Sequence, residues 1–146
     1  MTTRAILHSI RQFTREKVFQ EVCREWLQEE AATGNWGWSP GVLSTLWPVQ
    51  APDGDDLPIV ALDESQRRIL VADTCWTRLP VGWSTVSEFV RRVRALTEAW
   101  DGYQLDTVFF SRAGFAQSAR ILARDSQTRL ISLADIESVD SRTIPR

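Results

Sequence analysis

The chain has 146 residues, 43% of them hydrophobic and 25% charged, with a formal net charge of -2. These proportions suit one compact domain and exclude a disordered tail. The near-neutral balance also excludes a wholly basic nucleic-acid arm, while a local basic face remains compatible with it.

Lys17 is the only lysine, so any chemistry that needs an amine has one candidate. His8, the single histidine, rules out a multi-histidine zinc site. Cys23 and Cys75 lie far apart with no Cys-x-x-Cys partner, which excludes a zinc ribbon or disulfide framework and points to a reducing compartment. No apolar run approaches the roughly 20 residues needed to span a bilayer. The opening segment lacks a signal-type apolar block and flows into a helical pattern, so it reads as part of the fold. The expectation is a cytoplasmic protein with no membrane partner.

In chain order, a first helical region covers residues 4–31 as one bent helix or two short ones. Its apolar stripe is Phe19, Val22, Cys23, Trp26 and Leu27. TGNWGWSPG must be loop. VLSTLWPV, LPIVAL and ILVADTCW, separated by the turn signals APDGDD and DESQRR, read as an antiparallel meander. The period then changes: Val86, Phe89, Val90, Val93 and Leu96 fall at helical spacing behind a capping box of Thr85 and Glu88. That helix should stop near Trp100-Asp101-Gly102. LDTVFFS reads as a central or parallel strand, Ala116–Arg124 as a short helix, TRLISL as a last strand, and 134–146 as a loosely held polar tail. The order α-β-β-β-α-β-α-β predicts a single α/β domain over 1–146, a mixed sheet flanked by helices.

The segments VFQEVCREWL, LPIVALDESQRRILVADTCW, TRLPVGWSTVSEFVRRV, and FFSRAGFAQSARILA with RLISLADI together carry a resemblance to the restriction-endonuclease-like PD-(D/E)XK superfamily. Within it the chain is most similar to the nuclease-like domain at the C-terminus of archaeal and bacterial DEXX-box P-loop ATPases. VFQEVCREWL resembles the first core helix of that domain. LPIVALDESQRRILVADTCW resembles its central hairpin, TRLPVGWSTVSEFVRRV the loop and helix that follow, and FFSRAGFAQSARILA with RLISLADI the closing elements. The resemblance spans essentially the whole chain and implies a restriction-endonuclease-like core.

It also implies a site. In the superfamily two carboxylates at neighbouring strand ends hold Mg²⁺, and a lysine two residues past the second positions or deprotonates water. Carried over position by position, Pro58 stands at the first metal-binding aspartate and Asp56 at the acid two residues earlier. Asp73 keeps the second carboxylate, Cys75 replaces the lysine, and Gln20 replaces the helix glutamate. Proline offers no carboxylate, and cysteine cannot reproduce an ammonium's charge and three donors. The implied function is a degenerate nuclease-like domain, a nucleic-acid-associated or protein-interaction module with no cofactor. DNA and a P-loop ATPase are its candidate partners. The alternative is a divergent Mg²⁺- or Mn²⁺-dependent nuclease using Asp73, Asp56 and Lys17, with Asp55 or Asp63 as further oxygen donors.

Each candidate also has a plainer reading. Asp73 is either a metal ligand or an acid paired with an arginine. Asp53, Asp55 and Asp56 flank Gly54 as turn residues do. Cys23 and Cys75 are small buried hydrophobes before they are reactive thiols. Trp36, Trp38 and Trp83 sit in loops and are the candidate interface aromatics. Arg91, Arg92 and Arg94 either touch phosphates or form the solvated face of their helix. No Walker A loop is present, which excludes nucleotide hydrolysis by that route.

Overall fold

The computed structural model describes residues 3–33, 36–43, 47–50 and 56–143. Helix α1 (Thr3–Ala32) is followed by a short α2 (Pro40–Leu43) and strands β1 (Trp47–Gln50), β2 (Asp56–Asp63) and β3 (Arg68–Cys75). Helix α3 (Trp83–Thr97) runs into a 3₁₀ turn at Glu98–Trp100. Strand β4 (Gln104–Ser111), helix α4 (Gln117–Asp125), strand β5 (Thr128–Ser132) and helix α5 (Leu133–Thr143) complete the chain. The strands form one mixed sheet in the order β1-β2-β3-β4-β5. β1, β2 and β3 pair antiparallel, whereas β3, β4 and β5 run parallel. This is the α/β architecture the element order predicts. No helix among the described residues is long and apolar enough to cross a membrane.

Strand alternation sorts the core into two layers. Ile59, Ala61, Leu70, Ala72, Val108 and Phe110 face α1, where they meet Phe19, Cys23, Trp26 and Leu27. Val60, Ile69, Val71 and Phe109 face α3 and α4, meeting Val86, Phe89, Val93 and Ala119. β4 lies between two parallel neighbours and is buried from Thr107 to Ser111, as its unbroken apolar run requires.

The β2–β3 hairpin turns on its own chemistry. Asp63 Oδ1 accepts from Ser65 Oγ at 2.7 Å and from the Gln66 amide at 3.1 Å. Arg67 then takes a φ of 54°, a left-handed conformation that closes the turn.

Several expectations need correction. α1 is one continuous helix, the first of the two expected forms, but Val22, counted on its apolar stripe, is 37% exposed at the stripe's edge. Within VLSTLWPV, residues Val42 and Leu43 belong to α2, whose first residue is Pro40, a favoured position for proline; residues 44–46 lie outside the described residues, and the described strand is Trp47–Gln50. The capping box of Thr85 and Glu88 does not form. α3 begins earlier, at Trp83 with Gly82 as N-cap and no side-chain cap bond, and Glu88 pairs instead with Arg91. The polar tail from 134 is helical to Thr143, because Ile136 is buried against the α1 layer. Residues 144–146 lie outside the described residues.

Candidate functional site

The predicted site positions fall where β2 begins and β3 ends. β2 and β3 pair Ile59 with Ala72. Pro58 and Asp73 are the next residue on each strand, so the hairpin does set the two implied metal positions side by side. Pro58 contributes only backbone there: its carbonyl accepts from Arg24 Nη2 of α1 at 3.2 Å.

Asp73 has its carboxylate filled. Oδ2 accepts from Arg92 Nη2 at 2.7 Å, and Oδ1 accepts from the Thr74 amide at 2.7 Å. Both partners of the ion pair are largely buried, with side chains 14% and 15% exposed. Burial pushes the Asp73 carboxyl up, opposed by the Thr74 amide and the Arg92 charge. Arg92 reaches the strand because it flanks the apolar stripe of α3, one helical turn past Phe89. Arg92 therefore does not belong with the solvated or phosphate-facing arginines.

Cys75 lies two residues on, half-buried against the same α3 layer. Its Sγ is 3.6 Å from Thr77 Oγ1. Burial pushes this thiol up, opposed by the Thr77 hydroxyl and reinforced by the negative charges of Asp73 and Glu16, so it stays neutral. A neutral thiol at the lysine position supplies neither a charge for phosphate nor a base for water. The other thiol, Cys23, is fully buried and is driven higher still by desolvation.

Gln20 sits on α1 one turn from Glu16, whose charge bears on Cys75, and one turn from Arg24, which reaches the Pro58 carbonyl; it makes no hydrogen bond to Asp73 or Cys75 among the described residues. Lys17 lies on an exposed part of α1. Asp63 is committed to the hairpin turn at the far end of β2. Asp56 opens β2 opposite Gln50, but its side chain, with all of Asp53 and Asp55, lies outside the described residues. Among the described residues no group of three acidic, histidine or cysteine side chains is placed to hold a metal ion.

The interface candidates divide. Trp38 is buried, its Nε1 donating to Asp106 Oδ2 at 2.8 Å, and Trp36 is half-buried against Trp26. These two are packing residues, because the sheet reaches back to the loop that carries them. Trp83 is 55% exposed. Arg91 and Arg94 are exposed on α3, with Arg91 paired to Glu88.

The sequence reading missed the two loops that leave the C-terminal ends of β3 and β4. They are zipped together: the Arg112 amide donates to the Cys75 carbonyl, Val81 N to Gly114 O at 2.9 Å, and Ala116 N to Val81 O at 2.8 Å. The Arg112 guanidinium lies 4.3 Å from the Trp76 ring centre, and Trp76 packs on Phe19. Arg78, Leu79 and Trp83 are exposed on the first loop and the start of α3. Parallel α/β sheets present ligand-binding loops at this end. The signal lay in the segments TRLPVGWSTVSEFVRRV and FFSRAGFAQSARILA, which contain these two loops.

No family model and no curated protein matches the chain. Among solved structures, a protein of unknown function shares the fold, with TM-score 0.50 and 16% identity over 70% of this chain and 60% of its own. A repair endonuclease from Pyrococcus abyssi matches at TM-score 0.46 and 18% identity over 65% of this chain and 42% of its own. EndoMS in complex with double-stranded DNA matches at TM-score 0.44 and 15% identity over 75% of this chain and 41% of its own. The chain therefore aligns with less than two thirds of the length of each of these proteins, and the likeness is one of fold.

Proposed function

We propose that the chain is a nuclease-like domain that has lost its metal site and acts by binding. The observation that carries this reading is the Asp73–Arg92 ion pair at 2.7 Å. The single carboxylate retained at the implied metal positions is neutralised by a cation from α3, next to a proline and a neutral thiol. A divalent ion there would have to displace a buried guanidinium before gaining one oxygen ligand, and Mg²⁺ needs several.

The binding surface in this reading is the zipped pair of loops. Arg78 and Arg112 supply charge, Trp83 an exposed ring, and the strand ends a rigid base. A nucleic-acid strand suits that combination, because arginine engages phosphates while an aromatic face stacks on any base. The test is a mobility-shift titration of single- and double-stranded DNA without metal, at increasing salt. The expected result is binding that weakens with salt and falls in Arg112→Gln and Trp83→Ala. Binding absent at low salt, or indifferent to both substitutions, contradicts it.

The exposed Leu79 and Trp83 favour a second reading, a protein partner seated on the same loops. The resemblance to the accessory domain of DEXX-box ATPases supplies the partner class, a P-loop ATPase subunit. Co-migration with such a subunit that Leu79→Ser abolishes, without DNA retention, would favour this reading over the first.

A further inference from the structure

At the other end of β4, away from Asp73 and Cys75, the sheet carries a second polar site. A cleft of about 450 Å³ opens at the N-terminal ends of β4 and β5, lined by Gln104, Asp106, Thr107, Ser126, Gln127 and Arg129. Its size lies in the range of small-molecule sites.

The charges in and beside it are arranged unevenly. Asp106 Oδ2 accepts from Arg68 Nη2 and from Trp38 Nε1, both at 2.8 Å. Arg68 is in turn fixed to the Gly37 and Trp36 carbonyls at 2.8 and 2.7 Å. Asp106 and Arg68 therefore neutralise one another. Arg129 is left over: its nearest carboxylate oxygen, Asp106 Oδ1, is 3.8 Å away, beyond hydrogen-bond reach. The guanidinium is nonetheless held in place, 3.8 Å from the Trp36 ring centre, with Trp36 backed by Trp26. Among the described residues no acceptor lies within hydrogen-bond reach of the Arg129 N–H groups, and a positioned guanidinium of that kind is a preformed fork for an oxyanion. The two glutamines beside it offer the paired donor and acceptor that recognise a base edge.

We infer that this cleft binds a phosphate monoester of nucleotide size, with Arg129 gripping the phosphate and Gln104 and Gln127 meeting the base. Two sources present that chemistry, a free nucleoside monophosphate and the 5′-phosphate end of a strand. This inference does not rest on the loss of the nuclease site, which uses other residues at the opposite end of the sheet.

The test is calorimetric titration of the full chain with a nucleoside monophosphate, its parent nucleoside, and a short oligonucleotide with and without a 5′-phosphate. The expected result is saturable binding of the phosphorylated member of each pair. Tighter binding of the oligonucleotide assigns a strand end, and binding of the mononucleotide alone assigns a free nucleotide. Arg129→Gln should weaken binding by roughly tenfold to a hundredfold, the loss of a charge-assisted pair. Arg129→Lys should recover only part of it, since a point charge lacks the fork, and Arg120→Gln, at an exposed position on α4, should leave it unchanged. Gln104→Ala, at an exposed position, should weaken the mononucleotide while sparing inorganic phosphate. Equal binding with and without the phosphate, or full affinity in a folded Arg129→Gln, overturns the assignment.

Discussion

Asp73 and Arg92 hold one another in a largely dry setting, and that fixes what substitution does. Removing the acid in Asp73→Ala leaves a guanidinium without its carboxylate, and should cost about 3–5 kcal/mol in urea unfolding. The double replacement Asp73→Leu with Arg92→Met should recover most of that loss, because desolvation offsets much of a buried pair's attraction. A single-variant cost under about 1 kcal/mol, the level of an exposed pair, would show that the carboxylate is free. Asp63 behaves in the opposite sense. Hydrogen bonds from Ser65 and the Gln66 amide hold its carboxyl below the ordinary 3.8. Its folded value lies below its unfolded one, so its contribution is present above the unfolded value and lost as pH falls through the folded one. Carbon-detected NMR should find Asp63 titrating below 3.8, moving back toward it in Ser65→Ala. An unchanged titration in that variant would contradict the turn assignment.

Among the elements, α3 makes the most direct comparison between pattern and structure. Its stripe of Val86, Phe89 and Val93 is visible at helical spacing and is buried as the spacing requires. Its start is not visible, because Thr85 and Glu88 imitate a capping box while the backbone enters the helix earlier, at Trp83. Thr85→Ala should therefore change stability by no more than about 0.5 kcal/mol, where a true N-cap would cost about 1. Phe89→Ala, which empties a fully buried ring site between Phe109 and the helix, should cost about 3–5 kcal/mol. The paired unfolding curves check both, and a larger loss at Thr85 would restore the cap. The same limit on local pattern explains α5: the segment from 134 is rich in polar residues, and among its described side chains Ile136 marks the side that docks.

For the whole molecule, the mixed sheet was legible because long apolar runs and turn chemistry are local signals. The meander, the crossover helix and the parallel pair of β3 and β4 all follow from them. What is held by distant partners was not legible. Trp38 looks like a loop tryptophan until Asp106, far along the chain, accepts its indole N–H. Arg92 looks like one of three surface arginines until the crossover lays α3 over β3. The resemblance supplied the positions of the site, and the structure supplied the cation that fills it. The proposal of a nuclease-like domain without its metal site, kept as a binding scaffold, rests on these observations.

The most direct test of that account is a cleavage assay on single- and double-stranded DNA and RNA with Mg²⁺ and with Mn²⁺, with Asp73→Asn prepared in parallel. Asparagine keeps the shape of the side chain and removes its charge, so the variant controls for contaminating nuclease. The account predicts that both proteins leave every substrate intact under both metals. Cutting by the native chain that disappears in Asp73→Asn would contradict it, and would make Asp73 the anchor of a working metal site.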